Sequence, residues 1–185
     1  MEHFHALQAA RARDWPNAMI TTATHDTKRG EDARSRLLAL SEIPQDWAAA
    51  WETWTNLAQP HLTVIDKEPL PDANDQWMFF QAILGAWPLE LLDTDDPVAI
   101  EDFRHRLDAY AEKALRESKR RSSWVNVDED YEGAVHALFA QLIAPGSAFI
   151  GWSDRPGRPS FGRGAFCRVN VTWKNGVRAG SRCGC

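Results

Sequence analysis

Apolar residues along this chain recur mostly at helical spacing, and one early stretch breaks that rule. Phe4 to Arg13 reads as a short helix with Leu7 and Ala10 on one side. Asp14-Trp15-Pro16-Asn17 is turn chemistry. Ala18 to Thr24 is then rich in β-branched residues and uncharged, the pattern of a strand covered on both faces. It stops at His25-Asp26. From there the pattern is helical again. A helix begins near Glu31 and Asp32, acids that suit a first turn, and runs through Leu37, Leu38 and Leu40. Another carries Trp47, Trp51 and Trp54 at i, i+4 and i+7. A third is predicted to open on Asp75 as N-cap, to carry Trp77, Phe80 and Leu84, and to stop at Gly85-Ala86-Trp87-Pro88. The clearest begins at Asp96-Pro97, a cap followed by proline at the first helical position. Its stripe is Ile100, Phe103, Leu107, Tyr110, Ala114 and Leu115, with Glu112–Arg116 and Glu117–Arg121 as i,i+4 pairs on the wet side. A last helix holds Tyr131, Val135, Leu138, Phe139 and Leu142.

One strand among about six helices is an odd inventory. A lone strand cannot satisfy its own backbone N–H and C=O groups. Either that segment is not a strand in this chain, or its partners lie elsewhere.

Composition divides the chain near residue 150. Of 185 residues, 44% are hydrophobic and 25% charged, ordinary for a globular protein. All three cysteines, Cys167, Cys183 and Cys185, fall after the break. Residues 151–185 hold one acid, Asp154, against seven bases, while residues 1–150 hold 25 acids against 14 bases. The body is therefore about −11 and the tail +6, within a total of −5. The expected domains are a body over 1–150 and a basic Gly/Arg/Cys-rich tail over 151–185. The tail reads as disordered or as the product of a shifted reading frame. Its cysteine spacing fits no zinc pattern. No stretch approaches a membrane span, and the first residues lack the apolar core of a secretory signal. A cytoplasmic location, with no membrane or nucleic-acid partner, is the expectation.

Candidate chemistry concentrates at His25-Asp26-Thr27-Lys28-Arg29. A metal site using His3 and His5 is disfavoured, because i and i+2 diverge on a helix. A His-Asp metal phosphohydrolase is a further alternative, but His61, His105 and His136 have no ligand-like spacing. Trp47, Trp51 and Trp54 suit a core better than a sugar platform. Trp87 and Trp124 sit in turn-like contexts and are more open to such a role. At the end of a barrel strand, a carboxylate beside an imidazole suits sugar chemistry. It can take ring-hydroxyl hydrogen bonds and oppose an oxocarbenium-like charge.

The stretch from Phe4 to Glu42 closely resembles maltooligosyltrehalose synthases, a branch of the α-amylase superfamily. Their pattern there is P-x-x-x-x-x-T-x-T-H-D-T-K-R-x-E-D-x-R-x-R-L. It is matched by Pro16, Thr22, Thr24, His25, Asp26, Thr27, Lys28, Arg29, Glu31, Asp32, Arg34, Arg36 and Leu37. "QAILGAWP" and the stretch from Phe103 to Val135 continue the resemblance in order, over about residues 3–150. The resemblance implies a fold that is mainly α as an isolated chain. It would be one strand of a (β/α)8 barrel, about the seventh, followed by a helical insertion. It also implies conversion of the reducing-end α-1,4 linkage of maltodextrins to α,α-1,1, an intramolecular transglycosylation needing no cofactor and no metal. Asp26 would be the catalytic carboxylate that stabilises the transition state. His25 would bind substrate, and Lys28 and Arg29 would line the sugar site or pair with Glu31 and Asp32. The nucleophilic aspartate and acid glutamate of the family come from earlier strands and are absent from these 185 residues. The family's last barrel strand is absent too. The chain alone is therefore expected to be inactive. The alternative is a non-catalytic helical interaction module derived from such an enzyme.

Overall fold

The computed structural model describes residues 2–19, 21, 23–88, 91 and 96–151. Apart from Gly151, the expected tail lies outside the described residues.

The core is built from four long helices whose apolar stripes face one another. They are α3 (Pro44–Ala58), α4 (Ala73–Ala86), α5 (Pro97–Ser118) and α6 (Glu129–Leu142). Ala50, Trp54 and Ala58 point inward from α3, one turn apart. Ile100, Phe103, Leu107, Ala111 and Leu115 do so from α5, at the i, i+3, i+4 spacing the sequence shows. Phe79 meets Phe139 edge to face at 5.2 Å, which ties α4 to α6. Trp54 and Phe80 are likewise 5.5 Å apart between α3 and α4. Helix α7 (Ala148–Gly151) adds Phe149 and Ile150 to the same cluster.

The caps explain where these helices begin. The Asp96 carboxylate accepts from the Val98 N–H at 3.0 Å, with Pro97 at the first position. The third predicted helix differs at its start. Its cap is Asp72, whose side chain accepts from the Asp75 N–H at 2.9 Å. Asp75 is instead the third helical residue, and it is buried. The predicted Glu117–Arg121 pair also gives way. Helix α5 ends at Ser118 with Lys119 in the left-handed conformation, so Arg121 no longer lies one turn above Glu117. Arg121 reaches Glu68 at 3.3 Å. Glu112–Arg116 forms as expected, at 2.7 Å.

A hairpin that the sequence pattern does not announce joins α3 to α4. Strands β1 (Thr63–Ile65) and β2 (Glu68–Leu70) pair antiparallel, with Val64 opposite Pro69. Asp66 and Lys67 at the turn both have positive φ, the conformation of a tight two-residue hairpin loop. Asn-Gly usually marks such loops, which is why Asp-Lys beside a proline goes unread.

Helix α2 (Glu31–Ala39) leans on the body. It touches α4 at a close point: a Cβ at Gly85 would stand 3.2 Å from the Ala33 Cβ. Arg36 secures the crossing by donating to the carbonyls of Gly85 and Trp87 at 3.3 and 2.7 Å.

Everything before α2 is peripheral. Helix α1 (Glu2–Asp14) buries no residue. Among the described residues of 18–24 no strand forms, and Met19 is 98% exposed. This corrects the expected buried strand. The physical reason is the one its pattern already carried: no neighbouring strand is present among the described residues to complete its hydrogen bonds.

Candidate functional site

The His-Asp pair lies on a single 3-10 turn, His25–Thr27. Thr24 precedes it as cap, and a reciprocal set of bonds with Thr27 holds the turn closed. The Thr27 hydroxyl donates to the Thr24 carbonyl at 2.7 Å and accepts from the Thr24 N–H at 3.3 Å. His25 and Asp26 project from it into solvent, their side chains 91% and 93% exposed. The imidazole Nδ1 and the carboxylate Oδ1 are 3.5 Å apart. Two groups this wet can bind a ligand, but they cannot exclude water from it.

Lys28 and Arg29 behave differently. Lys28 takes the left-handed conformation at the end of the turn, φ 52°. Its ammonium stands 3.0 Å from Glu117 near the end of α5. Arg29 donates to the Met78 carbonyl of α4 at 3.4 Å. Its Nε is buried and has no hydrogen-bond partner among the described residues. The two bases thus tie the turn to α5 and α4, on the inner side of the segment whose outer side carries His25 and Asp26.

Behind the turn lies a pocket of about 160 Å³ between α2, α4 and α5. Lys28, Arg29, Gln81, Phe103, Arg106 and Tyr110 contribute to its wall. Burial pushes the Tyr110 hydroxyl above its ordinary pKa, and the nearby Arg29 charge partly offsets this. The phenol therefore remains a neutral donor at physiological pH. Sequence reasoning places Phe103 and Tyr110 on a core stripe and leaves Arg106 unremarked. No local spacing announces that bases at 28, 29 and 106 converge.

A second polar cluster also escapes sequence reading. The Tyr131 hydroxyl donates to the buried Asp75 carboxylate and accepts from the Asp72 N–H at 3.3 Å. Arg120 closes the group, 2.9 Å from Asp75 and 3.2 Å from Asp72. Burial is the first cause that pushes Tyr131 far above its usual range, and the Asp75 hydrogen bond adds to it. Nearby, Arg116 grips Glu132 with two bonds of 2.9 and 2.7 Å, and Ser122 donates to the same carboxylate. The Arg116 bonds hold the Glu132 pKa below the usual carboxylate range. Both clusters tie α4, α5 and α6 together and have every carboxylate paired. They are structural.

The aromatic expectations resolve unevenly. Trp54 is core, and Trp47 and Trp51 are half-buried beside Trp77 at 5.1 and 4.8 Å. Trp87 is also core, packed on Phe103 at 5.2 Å. Trp124 stays 54% exposed, with the Arg116 guanidinium 5.0 Å from its ring. Among the described residues, no three His, Cys, Asp or Glu side chains gather as a metal ion would require. Among them, too, no helix is long and apolar enough to cross a membrane.

Comparison with known proteins is specific. No protein-family profile matches the chain. Two proteins of Mycobacterium tuberculosis, from strains CDC 1551 / Oshkosh and ATCC 25618 / H37Rv, are named maltooligosyl trehalose synthase. Each is 39% identical over 133 residues, which is 72% of this chain and 15% of theirs. The crystal structure of a hypothetical maltooligosyl trehalose synthase of Sulfolobus tokodaii superposes with a TM-score of 0.52 at 27% identity. That match covers 85% of this chain and 17% of the other. The chain thus spans about one-sixth of the length of the relatives it matches.

Proposed function

We infer, from a chain homologous to one segment of the maltooligosyl trehalose synthases, that these residues furnish part of a maltodextrin-converting active site. In that reading Asp26 is the carboxylate that faces the sugar ring and opposes the positive charge developing at its anomeric carbon. His25 donates to a neighbouring ring hydroxyl. Lys28 and Arg29 complete the same wall from its inner side. The reaction is the intramolecular transfer that turns a reducing-end α-1,4 linkage into α,α-1,1.

Such a transfer needs a nucleophile to hold the glycosyl group and an acid to protonate the leaving oxygen. His25, Asp26, Lys28 and Arg29 supply neither, so the reaction belongs to a larger assembly of segments. The observation that carries the reading is the exposure of His25 and Asp26, 91% and 93%, on an otherwise well-capped turn. A transition-state carboxylate works in a site that excludes water. The exposed face is therefore the one that further barrel strands would cover.

Incubating the purified chain with maltopentaose tests this directly. The expected result is no non-reducing saccharide. Steady production of one by this chain alone would overturn the division of labour. In an intact M. tuberculosis relative, replacing the residue that aligns with Asp26 should lower turnover by about 100-fold or more. Unchanged turnover there would remove Asp26 from the chemistry.

A second reading, a helical module without catalysis, draws on one observation: the core of α3 to α6 is complete without His25 or Asp26. It predicts that adding this chain to the missing barrel segments restores no conversion of maltopentaose, whereas restored conversion would favour the first reading.

A further inference from the structure

The pocket behind the turn is not explained by glycosidic chemistry. Its floor is carbon: Ala82 and Gly85 of α4 and Phe103 and Leu107 of α5. Its wall carries three bases from two distant parts of the chain, Lys28, Arg29 and Arg106. Lys28 is neutralised by Glu117. Arg106 lies over the Phe103 ring at 5.6 Å, and no carboxylate pairs with it among the described residues. Arg29 brings a buried Nε that has no acceptor there. That Nε is closed to solvent, so an incoming anion pairs first with Arg106, whose charge no carboxylate offsets among the described residues. Gln81 and the protonated Tyr110 hydroxyl add neutral polar groups. A cavity of about 160 Å³ matches the size known to hold one benzene-sized ring.

We propose that this pocket is a binding site for one six-membered ring bearing a single carboxylate or phosphate. The ring rests on Phe103, Leu107 and the small residues of α4. The anion meets Arg29 and Arg106. The site differs in chemistry from a transglycosylation centre, which stabilises developing positive charge; it shares Lys28 and Arg29 with the sugar wall proposed above but opens on the inner side of the turn, away from His25 and Asp26.

The test uses the full chain, with calorimetric titration and amide chemical shifts as readouts. Benzoate and phenyl phosphate are the probes, and their ratio tells which anion the site prefers. Both should bind one to one, with roughly millimolar dissociation constants. Their shifts should centre on Ala82, Gly85 and Phe103. Inorganic phosphate and benzyl alcohol should each bind at least about tenfold more weakly, because each keeps only half of the recognition. Arg106→Gln should weaken phenyl phosphate about tenfold with little change in melting temperature. Ala86→Leu, which narrows the mouth from α4, should do the same by exclusion. Maltotriose should not compete. The proposal is overturned if inorganic phosphate binds as well as phenyl phosphate, or if neither ring anion binds. It is equally overturned if both variants bind like the parent chain, or if maltotriose displaces the probe.

Discussion

Residues 2–30 and residues 44–150 answer to different constraints. In the first region none of the described residues is buried, and Phe4, Leu7, Trp15 and Met19 all stand more than half exposed. In the second, four helices share one core in which Phe79, Phe80, Phe103, Phe139 and Val135 are 1% exposed or less. Yet the first region carries the most specific chemistry, His25-Asp26, while the second carries the stability. The difference teaches how a candidate site can keep its local shape without an enclosing core. A 3-10 turn needs only local hydrogen bonds, so the pair keeps its local geometry without the strands that would enclose it. A strand gains its stability from neighbours, so the described residues of 18–24 form none.

Helix α2 and the bases at 28 and 29 are the hinge between the regions. They fix the turn relative to the body through Lys28 to Glu117, Arg29 to Met78, and Arg36 to Gly85 and Trp87.

The sharpest break in the comparison comes from truncating large side chains on either side. Phe103→Ala removes a fully buried ring between Trp87 and the α5 stripe and should cost about 3–5 kcal/mol, read by urea denaturation. Leu7→Ala should stay within about 0.5 kcal/mol in the same assay. Equal losses would mean that the two regions share one core.

The polar ties of the body come next. Tyr131→Phe deletes the donor to buried Asp75 and should cost about 1–3 kcal/mol, because that carboxylate loses a partner it cannot replace with water. Glu132 adds a pH dependence. Its folded pKa is lowered, first by Arg116, so the unfolded chain binds the proton more readily. Its contribution is therefore full above the ordinary glutamate pKa and fades as pH falls from there through the lowered value. Denaturation of the parent chain and Glu132→Gln across that acid range should converge as pH drops. A constant gap would rule out the pairing as its cause.

The smallest effect belongs to the hinge. Lys28→Met removes one partly exposed ion pair and should cost no more than about 1 kcal/mol, read by melting temperature. A larger loss would make the turn part of the body's cooperative unit.

The sequence shows the helical body well because its signals are redundant. Helix α5 is marked by cap, proline and stripe at once, and α3 by three tryptophans at helical spacing. The hairpin is missed because Asp66-Lys67 adopts its left-handed turn without glycine. Asp75 is misplaced because two aspartates three residues apart can each cap, and only the fold shows that Asp72 does so. The His-Asp turn is legible from its motif, since a run of adjacent functional groups survives in one dimension. The pocket is not, because Lys28, Arg29 and Arg106 meet only after α2, α4 and α5 have packed. Ala18–Thr24 fails in the opposite way: its pattern describes a strand whose partners are not among the described residues.

Native-state hydrogen exchange, resolved residue by residue, tests the central claim most directly: the body folds on its own, the His-Asp turn is tied to it through Lys28 and Arg29, and α1 adds nothing to it. Amides of α4, α5 and α6 should exchange only through global unfolding. Those of α1 should exchange at nearly unfolded rates, since an isolated helix of this length is marginal in water. Protection of α1 equal to that of α5 would contradict the account.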